Sequence, residues 1–253
     1  MTVPAKEWGK FIEQLSRISG QAVTDLLRFV NVNGGLKVIP RQTLIDYAYL
    51  VATKYGEASS ALAAAWYDAL AEATGKYVQA AEVAPTATYA EAARTVNGVL
   101  KQSMNEEVLG GAMERMVKLP GVDTTVRNAI RDGAEVAWIP MGDTCAFCLT
   151  LASRGWQRAS KKLVQNGHAE HVHANCDCTY AVRFDENTQV AGYNPQRYRQ
   201  MYDDADGRTP DEKINALRRQ FYAENREEIR AQQNSAYEKR VELNSSAAEE
   251  TDV

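Results

Sequence analysis

The chain has few of the residues that usually carry chemistry: 253 residues hold only four cysteines and three histidines. No apolar run approaches the roughly 18 residues that a membrane-spanning helix needs, so no membrane partner is expected. The opening MTVPAKEWGK has no apolar signal core, which speaks against secretion and so against the oxidising compartment that disulfides need. Nor is there an excess of positive charge. The formal net charge of −4 argues against a globally basic nucleic-acid binder, though not against a local patch. What remains is ordinary globular composition, 45% hydrophobic and 25% charged, with length for one large or two modest domains.

Proline is scarce as well, and its seven positions divide the chain. Because proline disrupts helix interiors, the segments between prolines are the candidate helices. Trp8, Phe11, Ile12, Leu15, Ile18, Val23, Leu26, Leu27 and Val30 follow three-four spacing, which predicts an amphipathic helix over about 5–30. The turn residues of NVNGG at 31–35 end it. From Arg41 to Thr74 a second stripe runs through Leu44, Ala48, Val51, Tyr55, Ala58, Leu62, Ala65 and Ala69; its alanines would let a neighbouring helix come close. Tyr89, Ala93, Val96 and Leu100 mark a third helix, and Val108, Ala112, Met113, Met116 and Val117 a fourth. The fourth either breaks at Gly110–Gly111 or crosses it. Asp123 is a candidate N-cap for a further short helix. Nothing in these 130 residues resembles a catalytic constellation, and the stripes read as core.

From Ala134 the pattern changes. AEVAWIP and TYAVRF (179–184) read as strands, with a short helix or strand over LTLASRGW and a polar loop over 157–170. Beyond Pro195 the chain is rich in charge of both signs. Glu212, Ile214, Ala216 and Tyr222 recur 15 residues on as Glu227, Ile229, Ala231 and Tyr237. The expected organisation is mainly α: a helical domain (1–133), a small zinc-stabilised α+β module (134–194), and a charged, repetitive C-terminal arm (195–253) that is helical or disordered.

The scarce residues are all in one place. Cys145, Cys148, His168, His171, His173, Cys176 and Cys178 fall within 34 positions, with no cysteine or histidine elsewhere. Thiolate and imidazole are the ligands zinc takes in closed tetrahedral sites. CAFC can turn tightly around one ion, and HANCDC offers up to three more donors. One structural Zn2+ per chain is therefore expected, with Cys145, Cys148, His173, Cys176 and Cys178 as candidate ligands. Cys176 and Cys178 compete for the last place, and His168 and His171 read as residues of the loop or of the surroundings of the ligands. Disulfides and a C-x-x-C redox pair fit less well, the first for want of an oxidising compartment, the second for want of a βαβ context.

The order of these features resembles the phage Mu F-like minor head proteins. The matching residues are Trp138 and Pro140, Asp143 before Cys145 and Cys148, then His173, Cys176 and Cys178. The resemblance covers about 134–184. Where the family usually has HPNCRC, this chain has Ala174 and Asp177. The resemblance implies a virion component and not an enzyme, acting in head morphogenesis. It implies partnership with the portal and other head proteins, with DNA as a further candidate contact, and no small-molecule substrate. Its implied location is the virion, and the host cytoplasm during assembly.

Two enzyme readings compete. His168-Ala169-Glu170 is the H-x-E string of zinc deaminases, but there P-C-x-x-C follows that string, whereas CAFC precedes it here. His171, His173 and Asn175 offer the residue types of an HNH-type nuclease, yet a catalytic metal needs open coordination positions and a cysteine-rich shell favours a closed one. A zinc-dependent nucleic-acid-binding module is the remaining alternative.

Overall fold

A computed structural model describes residues 2–140, 145–161 and 178–224. Over these residues the protein is mainly helical, with seven helices and two small sheets. Strand β1 (Thr2–Val3) leads into α1 (Ala5–Val32), followed by α2 (Arg41–Ala73), α3 (Tyr89–Gln102) and α4 (Glu106–Asp132). Then come β2 (Glu135–Ile139), α5 (Ala146–Ala152), β3 (Gln157–Arg158), β4 (Thr179–Arg183), β5 (Gln189–Val190), α6 (Pro195–Asp204) and α7 (Pro210–Glu224).

The long helices form where the apolar spacing predicts, and α1, α2 and α4 each serve two cores. In one core, Leu26 and Val30 of α1 meet Leu44, Ala48 and Val51 of α2, Val96 of α3, and Leu109 and Met113 of α4. In the other, the opposite ends of α1, α2 and α4 supply Trp8 and Phe11, Tyr67 and Leu70, and Val122 and Val126. These pack with Val136 and Trp138 of β2, Tyr180 and Val182 of β4, and Val190 of β5. Trp8, Phe11 and Trp66 cluster there, with Phe11 and Trp66 stacked at 4.9 Å. The second core thus runs continuously across residue 133, the expected boundary between helical domain and module.

Two local expectations are corrected. Asp123 caps no helix: α4 runs unbroken from Glu106 to Asp132, through Gly110–Gly111 and through Pro120. Asp123 is an interior residue, 3.8 Å from Arg127 one turn on. A proline in a helix interior costs about 3 kcal/mol in isolation, and here packing outweighs that cost. Pro120 and Gly121 lie where α4 crosses α2. A Cβ on Gly121 would come within 2.6 Å of Ser59 Oγ, and one on Gly56 within 3.3 Å of the Pro120 ring.

The same crossing corrects the α2 stripe. Beyond Val51 the buried line is Gly56, Ser59, Ser60, Ala63, Ala64 and Tyr67, whereas Ala58, Ala65 and Ala69 are exposed. Small residues face α4 because the backbones approach closely, and serine serves as well as alanine there.

An irregular strap over 76–88 joins α2 to α3. Side chains of α2 and α4 hold its backbone. Asn128 accepts the Glu82 N–H at 2.9 Å and donates to the Glu82 carbonyl at 2.8 Å. Thr124 Oγ1 accepts the Ala84 N–H at 2.9 Å and donates to the Pro120 carbonyl. Asp68 accepts the Ala81 N–H, and Arg131 donates to the Gln79 and Ala80 carbonyls. The strap's backbone groups thus find the partners that regular structure would otherwise supply.

Gly133, left-handed at φ 64°, ends α4, and the Ala134 N–H closes back on the Ala129 carbonyl at 2.9 Å, a Schellman-type turn. The chain then enters β2, the centre of the three-stranded antiparallel sheet β3-β2-β4. β1 and β5 form a separate parallel pair, Thr2 opposite Gln189 and Val3 opposite Val190. The charged stretch beyond 195 begins as α6 and α7, both packed on α5. Leu217 of α7 is buried at 1% exposure. The second copy of the 15-residue repeat lies outside the described residues.

Candidate metal centre

β2 and β4 place Cys178 at the end of the sheet where β2 finishes, six residues before Cys145 in sequence. In their antiparallel register Trp138 faces Tyr180 and Ile139 faces Thr179. β2 therefore finishes at the sheet edge where Cys178 enters β4. Trp138 and Tyr180 meet edge to face at 5.0 Å, fixing that end of the strand pair.

Cys145 stands at the N-cap of α5, and its Sγ accepts the Cys148 N–H at 3.4 Å. Cysteine is not among the favoured N-cap residues. Cys145 is half-buried, while Cys148 and Cys178 are buried within the second core. α5 is fixed from behind: Tyr193 Oη donates to the Ala152 carbonyl at 2.9 Å, and α6 and α7 pack against the helix. Tyr198 of α6 lies close enough to Cys178 for the two to interact electrostatically. Its hydroxyl is held above the usual tyrosine range, chiefly by burial, with Arg197 opposing and Cys178 adding to the rise.

Of the five candidate ligands, Cys145, Cys148 and Cys178 are described; His173 and Cys176 lie outside the described residues, as do His168, His171, Asp143, Glu170 and Asn175. Among the described residues, no group of three or more His, Cys, Asp or Glu side chains is gathered closely enough to hold a metal. The pair in the CAFC turn fits a thiolate-bound ion in donor type and in its N–H···S turn. Any complete site would draw its remaining ligands from HANCDC.

A second recess had no place in the sequence expectations. It lies between α3, α4 and the end of the strap, with a volume of about 570 Å3. Arg115, Leu119, Asp123 and Arg127 line it from α4. Their i, i+4 spacing was a legible signal, obscured by the expectation of a helix break at Pro120. Among the described residues no helix is long and apolar enough to cross a membrane.

The model of a family described as VG15 protein matches residues 2–205. No curated protein and no solved structure matches the chain.

Proposed function

The chain belongs to the VG15 protein family, a family of viral and phage gene products, and from that premise we propose that it is a minor structural component of a phage head. In this reading it is a Mu F-like, portal-associated protein of head morphogenesis, one zinc ion braces residues 134–194, and it has no catalytic step of its own. The observation that carries the proposal is the end of the β2–β4 pair. There Cys178 leads into β4 opposite the end of β2, and the CAFC turn, in which Cys145 Sγ accepts a peptide N–H, follows β2 in sequence. The segment that resembles the Mu F-like motif thus has a sheet at its base.

Cys145 and Cys148 would hold the ion with His173 and one of Cys176 or Cys178. Zinc here would supply a structural cross-link, joining the start of α5 to the segment that enters β4. Structural zinc in small peptides contributes on the order of 10 kcal/mol or more to folding. Because the second core is shared with α1, α2 and α4, loss of the ion would also be felt in the helical part. The portal and other head proteins are the proposed partners.

The test pairs metal content with location. Purified protein should carry about one zinc per chain, and Cys145→Ser or Cys148→Ser should lose it. Mass spectrometry should find the chain in virions or procapsids, and the serine variants should lower the yield of infectious particles. Well under one equivalent of zinc would sink the metal reading. Absence from both particles would sink the head reading independently.

A further inference from the structure

Helix α5 is held from two sides, and only one of them is a core. Its seven residues fall well short of the roughly 12–15 that an isolated helix needs, and its N-cap, Cys145, is not a favoured one. Six of the seven residues are nonetheless buried. Cys148 and Leu151 belong to the second core. Ala146, Leu149 and Ala152 are buried as deeply, at 2%, 4% and 0% exposure, but belong to neither core. Their cover comes from α6 and α7, which pack on α5. Gly155, just past α5, lies against the start of α6, where an added Cβ would sit 3.4 Å from Pro195. Leu217 of α7 is likewise buried and in neither core.

The two covering helices are locked to each other at one corner. Lys213 Nζ donates to three carbonyls at the end of α6, those of Tyr202, Asp203 and Ala205, at 3.0, 2.8 and 3.0 Å. All three ammonium donors thus go to the end of a helix, where carbonyls lack intrahelical partners. Beside it, Glu212 Oε2 accepts the Arg208 and Thr209 N–H groups at 2.6 and 3.1 Å, and the Glu212 N–H donates to Thr209 Oγ1 at 3.3 Å. Gly207, at φ 132°, lets the chain pass this close, since a Cβ there would come within 2.6 Å of Glu212. Leu217 follows Lys213 by one turn of α7, so the residue that closes the corner also aims the residue that anchors the helix.

We propose that α6 and α7 form a clamp that keeps the CAFC turn wound, with Lys213 as its latch; what the turn would hold rests on the zinc reading above. Cys145 is the cap of α5 and Cys148 lies in its first turn, so the spacing of the two sulfurs depends on the helix staying formed. Lys213 acts through α6, Leu217 and α5, as a positioning residue and not as a ligand. Without the latch α7 comes away, the side of α5 that carries Leu149 is uncovered, and the first turn frays. A bound ion then leaves sooner, and reagents reach the sulfurs.

The test uses the full chain with Lys213→Met, which keeps an unbranched apolar stem and removes the three donors. With any zinc stripped by EDTA, alkylation by N-ethylmaleimide is followed at each cysteine by mass spectrometry. Cys148, 1% exposed, should react about tenfold faster than in wild type, a modest part of what three charge-assisted hydrogen bonds are worth. Cys178, which enters β4 and not α5, should keep its rate. In the zinc-loaded chain, transfer of the ion to the chelator 4-(2-pyridylazo)resorcinol should quicken while the stoichiometry stays unchanged. Leu217→Ala, which leaves the corner closed but removes the anchor, should reproduce both changes. Equal acceleration at Cys148 and Cys178 would mark a general loss of stability and overturn the clamp, as would unchanged rates in both variants. Acceleration in Leu217→Ala alone would overturn the role of Lys213. A wild-type chain carrying well under one zinc would remove the metal reading alone, since the alkylation rates decide the clamp without the ion.

Discussion

Replacing Asn128 with leucine should release the strap that joins α2 to α3 while leaving the helices folded. Asn128 is 2% exposed and holds both backbone groups of Glu82; leucine has a similar volume but can hold neither. Two hydrogen bonds at about 1 kcal/mol each, plus a partly stranded peptide group, put the loss at about 2–3 kcal/mol. Because the lost contacts belong to the strap, the change should appear first as local opening. Each 1.4 kcal/mol is tenfold in an equilibrium, so amide exchange over 80–84 should accelerate about 30- to 150-fold. Thr124→Val should act on the same segment, since it strands the Ala84 N–H. Native-state hydrogen exchange read by mass spectrometry gives the local term, and urea unfolding the global one. If exchange over 80–84 rose no more than that of the α2 and α4 cores, the strap would be held by something other than these side chains.

Leu217→Ala should cost about 2–5 kcal/mol, the usual range for emptying a buried leucine site, and should loosen α7 from α5; limited proteolysis between α6 and α7 would report it, and unchanged resistance would show that Leu217 is not the anchor. Truncation after residue 194 should destabilise the remainder for the same reason, whereas truncation after 224 should not; equal urea midpoints for the two would refute this. Asp132 accepts from Arg131 and from the Tyr67 hydroxyl, and these bonds hold its carboxyl below the usual range, Arg131 first. A carboxyl depressed on folding stabilises the native state above its unfolded pKa, near 3.9, and that contribution is lost as pH falls through the lower folded value. Wild type should therefore lose its advantage over Asp132→Asn as pH drops below about 4; a stability difference constant from pH 7 to 3 would count against the pairing.

The four long helices were legible because their apolar residues keep helical period over many turns. The stretch around Pro120 was not, because a proline's local cost is visible in sequence while the crossing of α2 and α4 that outweighs it is not. For the same reason the buried line of α2 is hidden in sequence: Ser59 and Ser60 carry hydroxyls, yet a close crossing selects for size. Asp123 read as a cap because acids favour helix starts, whereas its pairing with Arg127 needs the helix to continue. The strap left no trace, since side chains grip its backbone and its own side chains carry no pattern. At the candidate centre, residue type and spacing announced the CAFC turn. That Cys178 stands at the sheet end where β2 finishes depends on the β2–β4 register, which clustering alone does not reveal.

The parallel pairing of Thr2–Val3 with Gln189–Val190 has a bearing on how the protein is made. Translation runs at about 5–20 residues per second, so the partner of Val3 is synthesised roughly 10–40 s after Val3 itself. For most of that interval, until β2 is made, Trp8 and Phe11 can meet only α2 and the growing α4, and the strands that complete their core arrive later. An apolar surface then waits uncovered on the nascent chain, and folding of the first helix is finished by some of the last residues of the described core. Ribosome-bound chains stalled before residue 190 should accordingly attract chaperones at their opening helix, and chains stalled well beyond it should not.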